Sequence, residues 1–351
     1  MIKMALEPQW EAQAFPHSYG FRPGRDQHDA LEQLYITLST KRQFIANINL
    51  SKSLSKLDWN CLKRKLIAHP IIVRKINQWL KRGLINEYCY QSCSFDSNVF
   101  TLPNGAILAP LLVNILFNDF QLAIDSSMIK CSGLTQKSEV ICYGLHCIII
   151  SDSMISINNS VQILRKWLYK HRSSLDTKDF DIKFTHDSFN FLNYKLMFNK
   201  KNYQISPSFQ AIKSFNQRNR ELIQLSKSGP IKNLIYKLRV DALNWATNYA
   251  QYNSKEAFHY TDKVLFSQLR AITLKRHPGK SKHWIRKKYF PSKNLYHFQN
   301  RYYTASWVLT DTTSLAREFL PKVQWIRRKH YIKVVSTKSI YDNDSLYWKE
   351  R

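Results

Sequence analysis

Ile141-Cys142-Tyr143-Gly144-Leu145-His146-Cys147-Ile148-Ile149-Ile150 is an apolar run broken by a short polar kink. That pattern predicts a β-hairpin. Upstream, FIANINLSKSLSKLDWNCLKRKL (44–66) reads as an apolar strand leading into an amphipathic helix with Leu57, Leu62 and Leu66. Between them, TLPNGAILAPLLVNILFNDF (101–120) carries an apolar helix over Leu111–Phe117 that would be core in any fold. Downstream, SVQILRKWLYKHR (160–172) has the spacing of an amphipathic helix.

The 351 residues are enough to bury a real core and to form two domains, one of them large. Hydrophobic residues at 44% and aromatics at 13% exclude a mainly disordered chain. A formal net charge of +28 points to a polyanionic partner, nucleic acid before anionic membrane. An AT-rich genome would also enrich Lys and Asn, but the excess is uneven. Residues 1–200 hold 24 Lys+Arg against 16 Asp+Glu, whereas residues 201–351 hold 29 against 9. Genome bias acts on both halves, so the second needs a separate cause. The cysteines at 61, 89, 93, 132, 142 and 147 form no paired CxxC modules, and nothing completes a zinc site around Cys89 and Cys93. No run reaches the ~18 uninterrupted apolar residues of a membrane span. The N-terminus MIKMALEPQWEAQAF lacks an apolar signal core, so neither a membrane role nor a targeting peptide is expected.

SYGFRPGRDQHDALEQL (18–34) reads as a turn at Pro23-Gly24 followed by a helix capped by Asp26, with Ala30, Leu31 and Leu34 on its apolar face. Arg22 and Arg25 are candidate phosphate contacts in that turn, although a solvated turn would look the same. With MALEPQWEA before it, the stretch resembles the GFRPGR turn and helix of group II intron-encoded reverse transcriptases and maturases. Three more segments resemble that family in the right order. Residues 101–120 are similar to its PQGG…SPLLANI segment, with Asn104 for Gln and Ala106 for Gly. Residues 141–150 resemble its YADD hairpin. DSFNFLNYKL (187–196) resembles the FxFLGF strand that closes the palm, with Asn193 where Gly is usual.

The second half reads as helices. From Ile231, apolar residues recur at 234, 235, 238, 242, 245, 246 and 249, and a second run shows Phe258, Thr261, Leu265, Leu269 and Ile272. A polymerase thumb and maturase domain X would look like this. LKRHPGKSKHWIRKKYF (274–290) resembles the domain X signature RRHPNKSxxWxxxKYF. Lys275, Arg276, Lys280, Lys282, Arg286, Lys287 and Lys288 would supply phosphate contacts, while Trp284, Tyr289 and Phe290 either stack on unpaired bases or pack in the core. The segments 324–335 and 339–351 resemble the tail that leads into an HNH endonuclease, and the chain stops at Arg351 before any such Cys/His motif. The architecture expected is α+β. A degenerate reverse-transcriptase fingers/palm domain would span 1–198, an α-helical thumb/maturase domain X 199–320, and a basic tail 321–351, without the endonuclease or the basic fingertip segment.

Nucleotide addition in this family uses two Mg²⁺ ions clamped by aspartates. The resemblance places Leu145 and His146 at the hairpin pair and Asn49 and Ser55 at the two earlier acid positions; a register two residues earlier would put Asn47 at the first. Asp58 is the nearest acid. Mg²⁺ requires anionic oxygen ligands, whereas Asn49 offers a neutral carbonyl, Leu145 nothing, and His146 a softer nitrogen. No metal, no cofactor and no polymerase activity are expected. A new transition-metal site of His146 with Cys142 and Cys147 would need all three on one face of the hairpin. The resemblance implies an RNA-binding maturase that assists splicing of a group II intron in its pre-mRNA. The alternatives are a decayed or truncated remnant and an active reverse transcriptase for intron mobility. Eight glycines and abundant Ile, Lys, Asn, Tyr and Phe fit an AT-rich organellar genome, so a chloroplast is the expected location and a mitochondrion the second.

Overall fold

A computed structural model of the chain describes residues 1–40, 44–51, 53, 57–58, 62, 64–82, 99–100, 107–130, 138–199, 202–292, 294–312, 318–328 and 331–351. The chain folds as two compact units. Met1–Ser188, Lys200–Tyr203 and Ile332–Arg351 form the first, and Phe189–Asn199 with Gln204–Tyr331 form the second. The segment expected as a tail over 321–351 is therefore divided at residue 332.

The first unit is built on a four-stranded antiparallel sheet. In chain order it contains α1 (Ile2–Gln13), α2 (Gln27–Leu38), β1 (Phe44–Asn49), β2 (Leu57–Asp58), α3 (Pro70–Arg82), β3 (Val99–Phe100), α4 (Ala109–Lys130), β4 (Glu139–Tyr143), β5 (His146–Ser151), α5 (Met154–Lys170) and β6 (Phe180–Phe184). The sheet runs β4-β5-β1-β6. β4 and β5 are the hairpin read at 141–150, joined at Gly144-Leu145, where Gly144 takes φ +58. Cys147 and Ile148–Ile150 are fully buried, as expected of a central strand covered on both faces. Phe117 and Phe120 of α4 meet Trp167 of α5 at 5.7 and 5.9 Å between ring centres in the same core. Leu57–Asp58 corrects the expected helix over 57–66: it is a short strand paired with Val99–Phe100. Leu62 and Leu66 are buried in the core as that reading required.

Residues 332–351 belong to this unit through polar contacts as well as packing. The fully buried Asp29 accepts from Val334 N at 2.7 Å and pairs with Arg351, and Tyr341 donates to Glu7 at 3.2 Å.

The second unit opens with the sheet β7 (Phe189–Phe191), β8 (Tyr194–Asn199) and β9 (Asn202–Pro207). Leu192 and Asn193 turn β7 into β8 with φ +50 and +67. Asn tolerates that left-handed region better than most residues, which explains how it stands where glycine is usual. Four helices follow: α6 (Phe209–Leu225), α7 (Ile231–Tyr249), α8 (Lys255–Arg276) and α9 (Lys282–Tyr289). The buried face of α7 is Leu234, Ile235, Leu238, Ala242, Trp245, Ala246 and Tyr249, the same seven positions marked by the apolar period. The second stripe, Phe258 to Ile272, is likewise the buried face of α8. The unit is not wholly helical after that, because β10 (Asn294–Phe298) and β11 (Arg301–Ala305) form an antiparallel hairpin.

Asp262 of α8 accepts from Val323 N at 2.8 Å and Gln324 N at 3.1 Å. Burial nevertheless pushes its carboxyl up from 3.8 to about 6. A folded pKa above the unfolded one gives stability that is complete below about pH 4 and lost as pH rises through about 6. The stability difference between wild type and Asp262→Asn is thus expected to fall, by up to about 3 kcal/mol, between pH 4 and 6.5. Urea unfolding at a series of pH values measures it, and a flat difference would contradict it.

Candidate functional site

The sheet brings three of the four degenerate positions together. Asn49, the last residue of β1, stands opposite His146, the first of β5. Leu50 N donates to the Leu145 carbonyl at 2.9 Å, so the hairpin tip is tied to the end of β1. Ser55 lies outside the described residues. The Asn49 side-chain oxygen accepts from Ser51 N at 3.0 Å, Leu145 packs against the core, and burial holds the His146 ring below its ordinary pKa. These groups supply one neutral amide oxygen, hydrocarbon and one imidazole. That donor set does not fit a Mg²⁺ pair.

The hairpin also settles the cysteines. Cys142 and Cys147 are opposite each other, both fully buried, with 2.6 Å between their sulfurs. His146 is paired with Tyr143, and neighbouring residues of a strand face opposite ways. The imidazole therefore points away from the two thiols, and the three do not form one ligand set. Among the described residues no group of three or more His, Cys, Asp or Glu is placed to hold a metal ion.

Arg22 and Arg25 are placed differently from a phosphate-binding turn. The Arg22 guanidinium is buried against Glu11, with Nη2 to Oε1 at 2.7 Å and Nε to Oε2 at 2.9 Å. Its Nη1 donates to the carbonyls of Phe15 and Ser18, both at 2.8 Å. Arg25 is buried too, donating to the carbonyls of Pro16, Ser336 and Lys338. Its burial, with the neighbouring Arg22 charge, lowers its pKa to about 10. Both side chains spend their donors inside the protein and leave none facing a phosphate. The turn itself abuts the hairpin: a Cβ on Gly20 would stand 2.0 Å from Gly144 N, and Phe21 lies over Gly144.

The stretch 274–290 is a helix end, a tight turn and a second helix. α8 stops at Arg276, Ser281 caps α9 by accepting from Trp284 N, and Ile285, Tyr289 and Phe290 enter the helical core. The hydroxyl of Tyr289 is 2.8 Å from His277 Nε2. Tyr289 is therefore a packing residue, not an open stacking surface. Arg276 donates to the Ser226 carbonyl and ties α8 to the end of α6. What faces solvent is Lys275, Lys280, Lys282, Trp284, Arg286 and Lys287, with Lys288 half-buried. Lys288 and Lys280 lie over the Trp284 ring at 4.8 and 5.7 Å, and Arg286 over Trp307 at 4.3 Å. Desolvation, then the charges of Lys288, Arg276 and Lys280, hold His277 below its ordinary pKa.

Residues 1–196 match the model of the reverse transcriptase (RNA-dependent DNA polymerase) family, and residues 212–290 match that of the group II intron maturase-specific domain. Maturase-like protein 1 of Euglena longa is 25% identical over 242 residues, which is 66% of this chain and 47% of that protein. Protein YkfC of Escherichia coli K12 is 28% identical over 124 residues, 33% of this chain and 31% of that protein. The chain thus spans about half or less of the length of these curated relatives. Among solved structures, apo telomerase from Candida tropicalis aligns with 81% of this chain and 60% of its own, at 9% identity and a TM-score of 0.44. With more than half of its residues matched by one family, the chain belongs to the reverse transcriptases, and its second part carries the group II intron maturase-specific domain.

Proposed function

We propose that this protein is a maturase that binds structured group II intron RNA in a pre-mRNA and assists its splicing, without polymerising nucleotides. The observation that carries this reading is the cationic face of 275–288. Its helix is fixed to the core through Ile285 and Tyr289, while Lys275, Lys280, Lys282 and Lys287 are exposed and, among the described residues, form no ion pair. Cations held at fixed spacing on a rigid element suit a phosphate backbone, whose binding releases condensed counterions. In this reading the RNA performs the transesterifications, and the protein supplies binding energy that favours the catalytic RNA fold. A chloroplast is the location we propose, a mitochondrion the second.

The loss of polymerase chemistry follows from the donors at Asn49, Leu145 and His146. Two Mg²⁺ ions act by stabilising the attacking and leaving oxygens, and the described residues there place no carboxylate for them. Purified protein is expected to raise the spliced fraction of a group II intron precursor at limiting Mg²⁺ and to extend no primer on an RNA template. Template-directed extension would overturn the second half of the proposal. Failure to bind the precursor above a tRNA competitor would overturn the first.

A further inference from the structure

The second unit holds a cavity of about 180 Å³ beside the basic helix, lined by Asp262, Phe266, Leu309, Lys322 and Trp307 among others. Trp307 is 43% exposed and takes φ +67, a left-handed conformation that a bulky residue adopts only where its surroundings impose it. Phe266 meets its ring edge-on at 5.2 Å, and Arg286 of α9 lies over it. The pocket wall is therefore joined to the cationic face of 275–288. Lys263, exposed, and Lys322, half-buried, also line the cavity.

These features select the ligand. The space is smaller than the ~300–1,000 Å³ of a site for an extended small molecule. Two aromatic walls favour a planar ring. The carboxylate of Asp262 uses two acceptor positions on Val323 N and Gln324 N, and its two oxygens have about four in all. It can therefore receive a further donor but offers nothing to a carbonyl. The flanking lysines call for negative charge on either side of the ring. We propose that this cavity takes one unpaired nucleobase with an exocyclic amino group, from a single-stranded stretch of RNA. The base stacks on Trp307, its amino group donates to Asp262, and the adjoining phosphates meet Lys263 and Lys322. This rests on the RNA-binding reading above and adds to it a class of base and a place.

The test compares a ten-nucleotide uridine strand with the same strand carrying one central cytidine, by fluorescence anisotropy on the whole chain. Wild type is expected to bind the cytidine strand several-fold more tightly. Trp307→Ala is expected to lose about ten-fold in affinity for it and to bind both strands alike. Trp307→Phe, which keeps a ring, should recover most of the difference, and a ten-base-pair RNA duplex should bind wild type and Trp307→Ala equally. Equal binding of the two strands by wild type, with Trp307→Ala unchanged, would remove the pocket and leave the RNA-binding reading standing. Binding of neither strand nor intron RNA would remove both. Because Trp307→Ala could fail to fold, a strand with one central 6-thioguanosine is also photo-crosslinked to wild type. Adducts on Phe266 or Trp307 support the pocket, and adducts confined to 275–288 overturn it.

Discussion

Arg22→Ala is expected to cost the first unit about 3–5 kcal/mol while leaving the RNA affinity of the folded fraction unchanged. The substitution strands the Glu11 carboxylate, whose side chain is 3% exposed, without its counter-charge. It also removes the donor shared by the Phe15 and Ser18 carbonyls. Removing one member of a buried, hydrogen-bonded pair is far more costly than removing both. The double variant Glu11→Ala/Arg22→Ala should therefore recover part of the loss. Arg22→Lys keeps the charge, but one ammonium cannot span a bidentate carboxylate and two carbonyls, so an intermediate loss is expected. Urea unfolding gives the stabilities, and intron RNA titration of the folded protein gives the affinities. A loss below about 1 kcal/mol combined with weakened RNA binding would instead make Arg22 a phosphate contact.

That residue also shows what the sequence could and could not reveal. The turn at 18–25 was legible because Pro23-Gly24 and the capping Asp26 act locally; Asp26 accepts from His28 N and Asp29 N as the pattern required. The direction of the two arginines was not. Their partners include Glu11 and, for Arg25, the carbonyl of Ser336, which is 311 positions away in the chain. A charge near a turn looks solvated until its distant partners are known. The buried stripe of α7 posed no such difficulty, because helical period alone determines which seven residues face inward.

In α9 the signal was present but under-read. Tyr289 stands four residues after Ile285, on the same face, whereas Trp284 lies one position round the helix and is exposed. Spacing could have separated the packing aromatic from the open one. The β10–β11 hairpin was hidden for another reason. Tyr296 faces the core while Leu295 and Tyr302 face outward, so apolar residues occupy both phases of the strand and blur its period of two. Its turn, Gln299-Asn300 with φ +47 and +58, carries no glycine to announce it. The meeting of Asn49, Leu145 and His146 was accessible only through the family resemblance. These positions are almost 100 residues apart in sequence and join through strand pairing.

If the cationic face binds phosphates, changing Lys275, Lys280, Lys282 and Lys287 together to Gln should weaken intron RNA binding by about 10²–10³ at 0.15 M salt. Each phosphate contact contributes about 0.7–0.9 to the slope of log affinity against log salt, so four of them steepen it by about 3. Extrapolated from a common value at 1 M, a slope difference of about 3 gives the stated factor at 0.15 M. The four side chains are exposed and outside the helical core, so the unfolding midpoint should hardly move. A second quartet separates a mapped interface from general attraction to a basic protein. Lys166, Lys170, Lys178 and Lys349 are also exposed but lie in the first unit, and their neutralisation removes the same charge. The second quartet is expected to change the affinity several-fold at most, with a slope shift well under 3. Equal losses from the two quartets would mean that net charge alone holds the RNA, and the cationic face of 275–288 would have no special claim to it.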